Sequence, residues 1–499
     1  MKIVHITPHL GGGVGRVLLS WCSKAKKLYP QTIHSIMSLE DANEAAKQWA
    51  ARESIPLFEE MGQNIEKLFA SIESADIVVI HWWNHPLLYK LFVNMPLPRC
   101  RLIVWSHVSG HTIPHVFTGR LIHFPDCFVV STPYSFDAHE IRNLDQQTKL
   151  EKIRLVFTCA GTERVETVEK KPHKGFTVGY VGTVDYCKLH RNFLRMSMDA
   201  KLHDAHFIVC GGEKQDEIRA EASGLGIGDY FEFTGKVSDV NTFLGVFDVF
   251  GYPLCKEHYG TGEQALIEAM AVGLPAVVFD NGSERALVEH EKTGLIVSSE
   301  NEYSLALRRL QNDEAFRKKL GDQAKQIARQ RFALDTMVSS WENVFREIFQ
   351  NAKTNHQWDK AGPIEDGGGL FVESLGIAGD IFKQSMQQGQ DCLCMEADRE
   401  ISKLTGSFCS QTRGSTFHYR SFFPDNAYLN LWCGCIEMSQ NQFDKALVSF
   451  AAAKSLGQWR IAFYTGLALQ SLGRIEEANL YFSLAKQLGQ TEEIKEVFR

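Results

Sequence analysis

The sequence predicts an α/β protein: two doubly wound halves facing a cleft, followed by an α-helical repeat tail. Three observations predict it. Over the first 350 residues, short apolar strands alternate with helical stretches. A second strand series begins at Thr177-Val178-Gly179-Tyr180-Val181, after a segment near 150–175 that is rich in Lys, Glu and Thr. Close to the end of the chain, one pattern of residues recurs at a fixed spacing of 32.

In chain order, the first half is expected to hold strands at Ile3–Thr7, Asp76–His81, Leu102–Ser106 and Cys127–Ser131. The Lys/Glu/Thr segment, with Pro172 near its end, reads as a linker. The second half continues with Phe207–Cys210, Phe247–Tyr252, Ala276–Phe279 and Leu295–Val297. The expected division is 1–165 for the first domain, 170–335 for the second, 336–350 for a helix returning to the first, 351–425 for a linker with one helix, and 426–499 for the repeats. Two such halves leave a cleft between the carboxyl ends of their sheets, where ligands of doubly wound folds bind.

Beyond residue 350 three consecutive glycines, Gly367 to Gly369, suggest a flexible connection that frees the tail to dock elsewhere. A helix is expected within Gly369–Gln388, and 405–425 reads as irregular. Gly434, Ala446, Phe450, Ala453, Lys454, Leu456 and Gly457 recur as Gly466, Ala478, Phe482, Ala485, Lys486, Leu488 and Gly489, each pair 32 residues apart. Small residues where helices approach and Phe where they pack indicate helix–turn–helix units that stack on neighbours. The pattern resembles the tetratricopeptide repeat, two residues shorter than its usual period, which implies a protein partner or self-association.

Composition bounds the function. The 499 residues are 44% hydrophobic and 23% charged, with 53 Lys plus Arg against 60 Asp plus Glu, a formal charge of -7. That balance argues against nonspecific nucleic-acid binding as the main task. Met1 to Ile6 is too short for a signal-peptide core and no stretch reaches membrane-spanning length, so a cytoplasmic address is expected, with peripheral attachment at the inner membrane face left open. Most of the twelve cysteines sit in apolar strands as buried thiols. Cys392/Cys394 and Cys433/Cys435 lack the usual zinc spacing, so no metal is expected.

The stretch from His258 to Pro275 reads as a small-residue loop, a helix of about ten residues and a Gly/Pro stop. Glycines bring backbone amides close to a ligand, and the helix start adds unpaired N–H groups and a positive dipole end, together suited to phosphate. Gln264 and Glu268 share a helix face with the loop, so Glu268 is placed to accept from ribose hydroxyls one turn below the phosphate. A second glycine turn, Gly11-Gly12-Gly13-Val14-Gly15-Arg16, follows the first strand, without the acidic residue of a dinucleotide fingerprint.

Taken together, roughly residues 1–350 resemble the retaining GT-B glycosyltransferases of family 4, two Rossmann-like domains facing a cleft. Gly12-Gly13-Val14-Gly15-Arg16 matches the family's Gly-Gly-x-x-Arg turn, and Trp105-Ser106-His107 its histidine after a strand. Val181-Gly182-Thr183 with Lys188 fits the spacing of Val-Gly-Arg and its lysine. Phe231 to Asp239 looks like the base-binding turn, and Glu268-Ala269-Met270-Ala271 the end of the E-x7-E motif. The sequence departs at two places: the first motif Glu falls at Gly260, and the Arg is Thr183. Glu263, or Glu257, is expected to reach the sugar instead, and His190 and Arg191 to supply the missing charge.

The resemblance implies transfer of a sugar from a nucleoside diphosphate donor, bound as substrate with no cofactor, to a glycan, lipid-linked glycan or protein acceptor on the first domain. It assigns catalysis to His107, Lys188 and Glu263, and donor binding to Gly12, Gly13, Gly235, Val237, Thr261, Gly262, Gln264 and Glu268. Lys188 and the amides from Gly262 to Gln264 would stabilise the leaving diphosphate without a metal. His81, His111 and His115 compete for the role given to His107, and Trp82, Trp83 and Tyr134 are candidates for the acceptor side. Two alternatives stay open: a nucleotide-sugar epimerase of the same shape, and a non-catalytic scaffold for the repeat tail.

Overall fold

Apolar runs become the parallel strands of two sheets. The structure is a computed structural model describing residues 1–489 except 213, 214, 238, 257, 259, 361, 388–390 and 405–412. The first sheet comprises β1 (Lys2–Thr7), β2 (Ile33–Ser38), β3 (Leu57–Phe58), β4 (Ile77–Trp82), β5 (Leu102–Ser106), β6 (Cys127–Val130) and β7 (Ile153–Leu155), in the order β3-β2-β1-β4-β5-β6-β7. The second comprises β8 (Phe176–Val181), β9 (Ala205–Cys210), β10 (Phe231–Gly235), β11 (Val249–Tyr252), β12 (Ala276–Phe279) and β13 (Gly294–Val297), in the order β10-β9-β8-β11-β12-β13. Every pairing in both sheets is parallel.

Strand order reverses between β1 and β4 in one sheet and between β8 and β11 in the other. The loops that leave β1, β8 and β11 at their carboxyl ends therefore stand at the two switch points, where a crevice opens for a ligand. Helix α1 (Gly12–Leu28) starts at the first of these loops, and α2 (Gln264–Val272) follows the last. Helix α3 (Leu334–Phe349) returns to the first sheet, where Trp341 stacks on Trp21 of α1 at 4.5 Å between ring centroids and Phe345 follows at 5.8 Å.

Within these two sheets, four strands lie outside the expected set. β3 and β7 are short edge strands, and β7 begins inside the segment read as a linker. β2 carries His34, Ser35 and Ser38, polar residues that hide its apolar run yet are buried. β10 is the part-exposed strand leading into the turn at Gly235.

The chain divides into two compact units. Both sheets lie in Met1–Trp82, Pro98–Gly110 and Pro125–Thr354; the other unit joins Trp83–Leu97 and His111–Phe124 to Asn355–Arg499. In this second unit the glycine run is not a flexible connection. Gly367–Leu375 is a helix, capped by the Asp366 carboxylate accepting from the Gly369 amide at 2.8 Å. Gly367 is buried where a Cβ would strike the ring of Phe423, so the glycine serves packing. Asn84 donates to Ser374 at 2.9 Å and accepts from the Tyr419 hydroxyl at 2.8 Å, which ties the early segment to the tail. Of the stretch read as irregular, 405–412 lies outside the described residues, while Thr416–Phe422 is a helix.

The repeat is visible as packing. Helices α4 (Ala427–Ser439), α5 (Phe443–Ala453), α6 (Trp459–Ser471) and α7 (Ile475–Leu488) form two hairpins. A Cβ at Gly434 would strike the ring of Phe450, and a Cβ at Gly466 would strike Phe482 in the same way. Each hairpin thus closes on one glycine–phenylalanine contact. Cys433 and Cys435 lie buried in α4 as free thiols. Trp82 and Trp83 are core residues rather than an exposed platform. Among the described residues, no helix is long and apolar enough to cross a membrane.

Candidate active site

The switch-point loops enclose a cavity of about 690 Å³. Gly13, Val14 and Arg16 line it from the start of α1, and His107 from the end of β5. The crossing segment contributes Thr158 and Arg164. From the second sheet come Gly182, Thr183 and Lys188 after β8, Gly211 and Gly212 after β9, and Lys236 and Val237 after β10. Gly260 to Ala265 and Glu268 complete the wall at the start of α2.

Of the eleven expected site residues, all but Gly12 and Gly235 line this cavity, nine in number. Gly13, His107, Lys188, Val237, Thr261, Gly262, Glu263, Gln264 and Glu268 all line the cavity. Gly12 and Gly235 adjoin it in sequence, both at positive φ, 59° and 74°. Glu257 lies outside the described residues, as do Ser238 and Tyr259.

Glu268 is buried on α2, its side chain 4% exposed. One oxygen faces the Arg16 guanidinium at 3.4 Å and the other pairs closely with Arg164. Gln264 turns toward the crossing segment, accepting from the Ala160 amide at 2.7 Å and donating to the Thr158 carbonyl at 2.9 Å. Thr261 donates to the His107 carbonyl at 3.3 Å, joining the loop of the second sheet to the end of β5.

Glu263 does not stand alone. Its buried carboxylate accepts from Lys188 at 2.8 Å and from the Tyr252 hydroxyl at 2.5 Å. Burial alone would push this carboxyl up, but Lys188 and His258 hold it below the ordinary carboxylate range. A Cβ at Gly260 would fall on Oε1 of Glu263, so Glu263 occupies the space into which a side chain at position 260 would project. The Gly260 amide donates to Nδ1 of His258 at 3.1 Å, and Nε2 of His258 faces Glu284 at 3.0 Å.

The expected substitutes for the missing arginine sit elsewhere. Arg191 is 64% exposed and pairs with Glu221 at 2.8 Å, and His190 stacks on Phe279 at 4.9 Å. The cations lining the cavity are Arg16, Arg164, Lys188 and Lys236, against the carboxylates Glu263 and Glu268. Arg164 was not legible in the sequence, because nothing in its local pattern marks it; only the crossing of the chain brings it to Glu268.

The chain's likeness to known proteins bears on the same residues. Residues 162–327 match the model of glycosyl transferases group 1. That span holds the second sheet, Arg164, Lys188, Glu263 and Glu268. An exopolysaccharide phosphotransferase of Streptomyces coelicolor is 31% identical over 148 residues, 28% of this chain and 14% of that protein. The N-acetyl-alpha-D-glucosaminyl L-malate synthase of Bacillus anthracis is 26% identical over 158 residues, 31% of this chain and 40% of that protein. The chain thus spans less than half the length of either curated relative. Among solved structures, Anabaena HepE in complex with UDP-glucose aligns with a TM-score of 0.55 and 17% identity, covering 70% of this chain and all of that one. The two sheets and their cleft are a GT-B fold, with an α-helical region following.

Proposed function

We propose that this protein is a retaining, metal-independent glycosyltransferase of the family 4 type. It moves a sugar from a nucleoside diphosphate donor to a glycan, lipid-linked glycan or protein acceptor in the cytoplasm. The observation that carries this is the cavity wall: a buried carboxylate, Glu268, one turn into a helix whose N-terminus faces the same space, among four cations and only two carboxylates. Such a wall suits a ribose beside a diphosphate. The match to group 1 glycosyl transferases and the likeness to a protein solved with UDP-glucose support it.

In this reading the ribose hydroxyls take the oxygens of Glu268 that Arg16 and Arg164 now hold, and the two guanidiniums turn to the diphosphate. They supply the charge absent at Thr183. As the bond to the anomeric carbon breaks, the diphosphate gains negative charge, which Lys188, the arginines and the amides of Gly262 to Gln264 stabilise. Glu263, in the space beside Gly260, reaches the donor sugar from within its pair with Lys188. His107 faces the sugar across the cleft.

The two C-terminal hairpins are read as tetratricopeptide-like units that hold a protein partner or a second copy. Their open side has a groove of about 520 Å³ bordered by Phe450, Ile461, Leu469, Tyr481 and Leu484. Incubating the full chain with a panel of nucleotide sugars, with and without acceptor pools, tests the activity. Acceptor-dependent release of nucleoside diphosphate supports transfer. Donor turnover that ignores acceptor points to an epimerase, and no saturable nucleotide affinity points to a scaffold.

A further inference from the structure

Two hydrogen bonds reach the buried carboxylate of Glu263, and both end on the same oxygen. Lys188 donates to Oε2 at 2.8 Å, and the Tyr252 hydroxyl donates to Oε2 at 2.5 Å. Among the described residues no hydrogen bond reaches the other oxygen, Oε1, and Nδ1 of His258 stands 3.9 Å from it. Oε1 lies where a Cβ on Gly260 would project, and Gly260, Glu263 and Tyr252 all line the cavity. One oxygen is thus tied down, and its twin is left to a ligand.

Of the two donors, Tyr252 is the one that can set the plane of the carboxylate. The last torsion of a glutamate is broad and roughly two-fold, so a lone ammonium on a flexible stem leaves that plane free to turn. Tyr252 instead brings one hydroxyl hydrogen on a ring locked by its neighbours. It ends β11, is 1% exposed, and its ring lies against Phe250 at 5.1 Å and Tyr180 of β8 at 5.5 Å between centroids. Tyr180 is itself held, donating to the Thr183 carbonyl at 2.8 Å. Burial, with the Glu263 charge beside it, holds the Tyr252 phenol well above its ordinary range, so the hydroxyl keeps its hydrogen.

The demands on Lys188 give the second holder its use. In the reaction Lys188 must also answer the charge that grows on the leaving diphosphate. A lysine drawn toward phosphate loosens its hold on Glu263, whereas the Tyr252 hydroxyl has a single hydrogen and spends it on Oε2.

We propose that Tyr252 is a positioning residue: its hydroxyl fixes Oε2 of Glu263, so that Oε1 is presented to a hydroxyl of the donor sugar while Lys188 serves the diphosphate. That the ligand is a donor sugar rests on the function proposed above; the hold of Tyr252 on Glu263 does not.

Tyr252→Phe keeps the ring and removes only the hydroxyl. In the full chain at pH 7 it should shift the urea unfolding equilibrium toward the unfolded state by about 10- to 100-fold, the worth of a hydrogen bond to a charged acceptor. Beside Glu263→Gln the same change should cost much less, because the acceptor charge is gone. Additive losses overturn the hold on Glu263. Steady-state kinetics with a panel of nucleotide sugars, and calorimetry with bare UDP, GDP and ADP, test the role at the sugar. Tyr252→Phe should lower kcat by about tenfold or more, while affinity for the bare nucleoside diphosphate stays within about twofold. Unchanged turnover, or an equal loss in turnover and in nucleotide affinity, overturns that role. If no nucleotide sugar is turned over, the function proposed above fails, and the urea cycle alone upholds or overturns the hold on Glu263. If Tyr252→Phe does not fold, Tyr252→3-fluorotyrosine keeps the ring and the hydroxyl and adds a single fluorine resonance. That resonance should move when Glu263→Gln is added, and an unmoved line overturns the proposal.

Discussion

The carboxylate of Glu263 fills the space that a side chain at Gly260 would need. The two positions are thus coupled: a residue larger than glycine at 260 displaces Glu263 and, with it, the partner of Lys188.

Gly260→Ala should therefore lower the melting temperature, since overpacking of this kind costs about 1–3 kcal/mol. It should also lower donor turnover at least tenfold. Gly260→Glu combined with Glu263→Gly exchanges the positions and should recover most of the turnover lost in Gly260→Glu alone. A double variant no better than the single one would show that Glu263 does not act in the place of a glutamate at 260.

Glu263 and Lys188 are both well buried, with side chains 3% and 13% exposed. Lys188→Ala leaves a buried carboxylate without its cation and should cost about 3–5 kcal/mol in urea unfolding. Adding Glu263→Gln should restore much of that stability but not the turnover, because the charge beside the diphosphate is still missing. Equal loss of stability in the single and double variants would mean the pair contributes nothing as a pair.

Acid should weaken the fold from an unusually high pH. His5, His34 and His81 are buried neutral, with His34 lowered to about 4, whereas in the unfolded chain each titrates near the ordinary value of 6.5. Between those values the unfolded chain binds more protons, so stability falls as pH drops through 6.5 and continues to fall toward pH 4, by about 1.4 kcal/mol per pH unit per histidine. Urea unfolding at intervals from pH 7.5 to 5 checks this. A flat profile above pH 5 would contradict neutral burial.

Removing residues 355–499 should not leave an intact remainder. Asn84 loses both Ser374 and Tyr419, and Arg120 loses Glu373, its partner at 2.7 Å. The shortened chain should melt at a lower temperature and expose apolar surface from Trp83 to Leu97, read by dye binding. An unchanged melting temperature would show that these segments hold without the tail.

What the sequence disclosed, and what it hid, follows from how local each feature is. The apolar runs at β5 and β12 and the loop-to-helix block before α2 announce themselves within a few residues. β2 does not, because His34 reads as polar until His5 of the neighbouring strand is known to meet it. Gly367 to Gly369 read as a flexible joint because glycine has two uses, and only the ring of Phe423 shows that close packing is the one in force. The same limit hid Arg164, whose meaning lies 104 residues away at Glu268. The 32-residue repeat was legible because each glycine and its phenylalanine lie in one hairpin.

Titration calorimetry of the full chain with UDP, GDP and ADP, repeated on Glu268→Ala, bears most directly on the central claim. Saturable binding of one nucleoside diphosphate is expected, weakened in Glu268→Ala by about 1.5–3 kcal/mol, the worth of hydrogen bonds to a charged acceptor. The variant should keep its fold, since Arg16 and Arg164 are each more than a third exposed and can turn to water. Absence of saturable binding for all three nucleotides, or full affinity in a folded Glu268→Ala protein, would contradict a nucleotide-sugar site in this cleft.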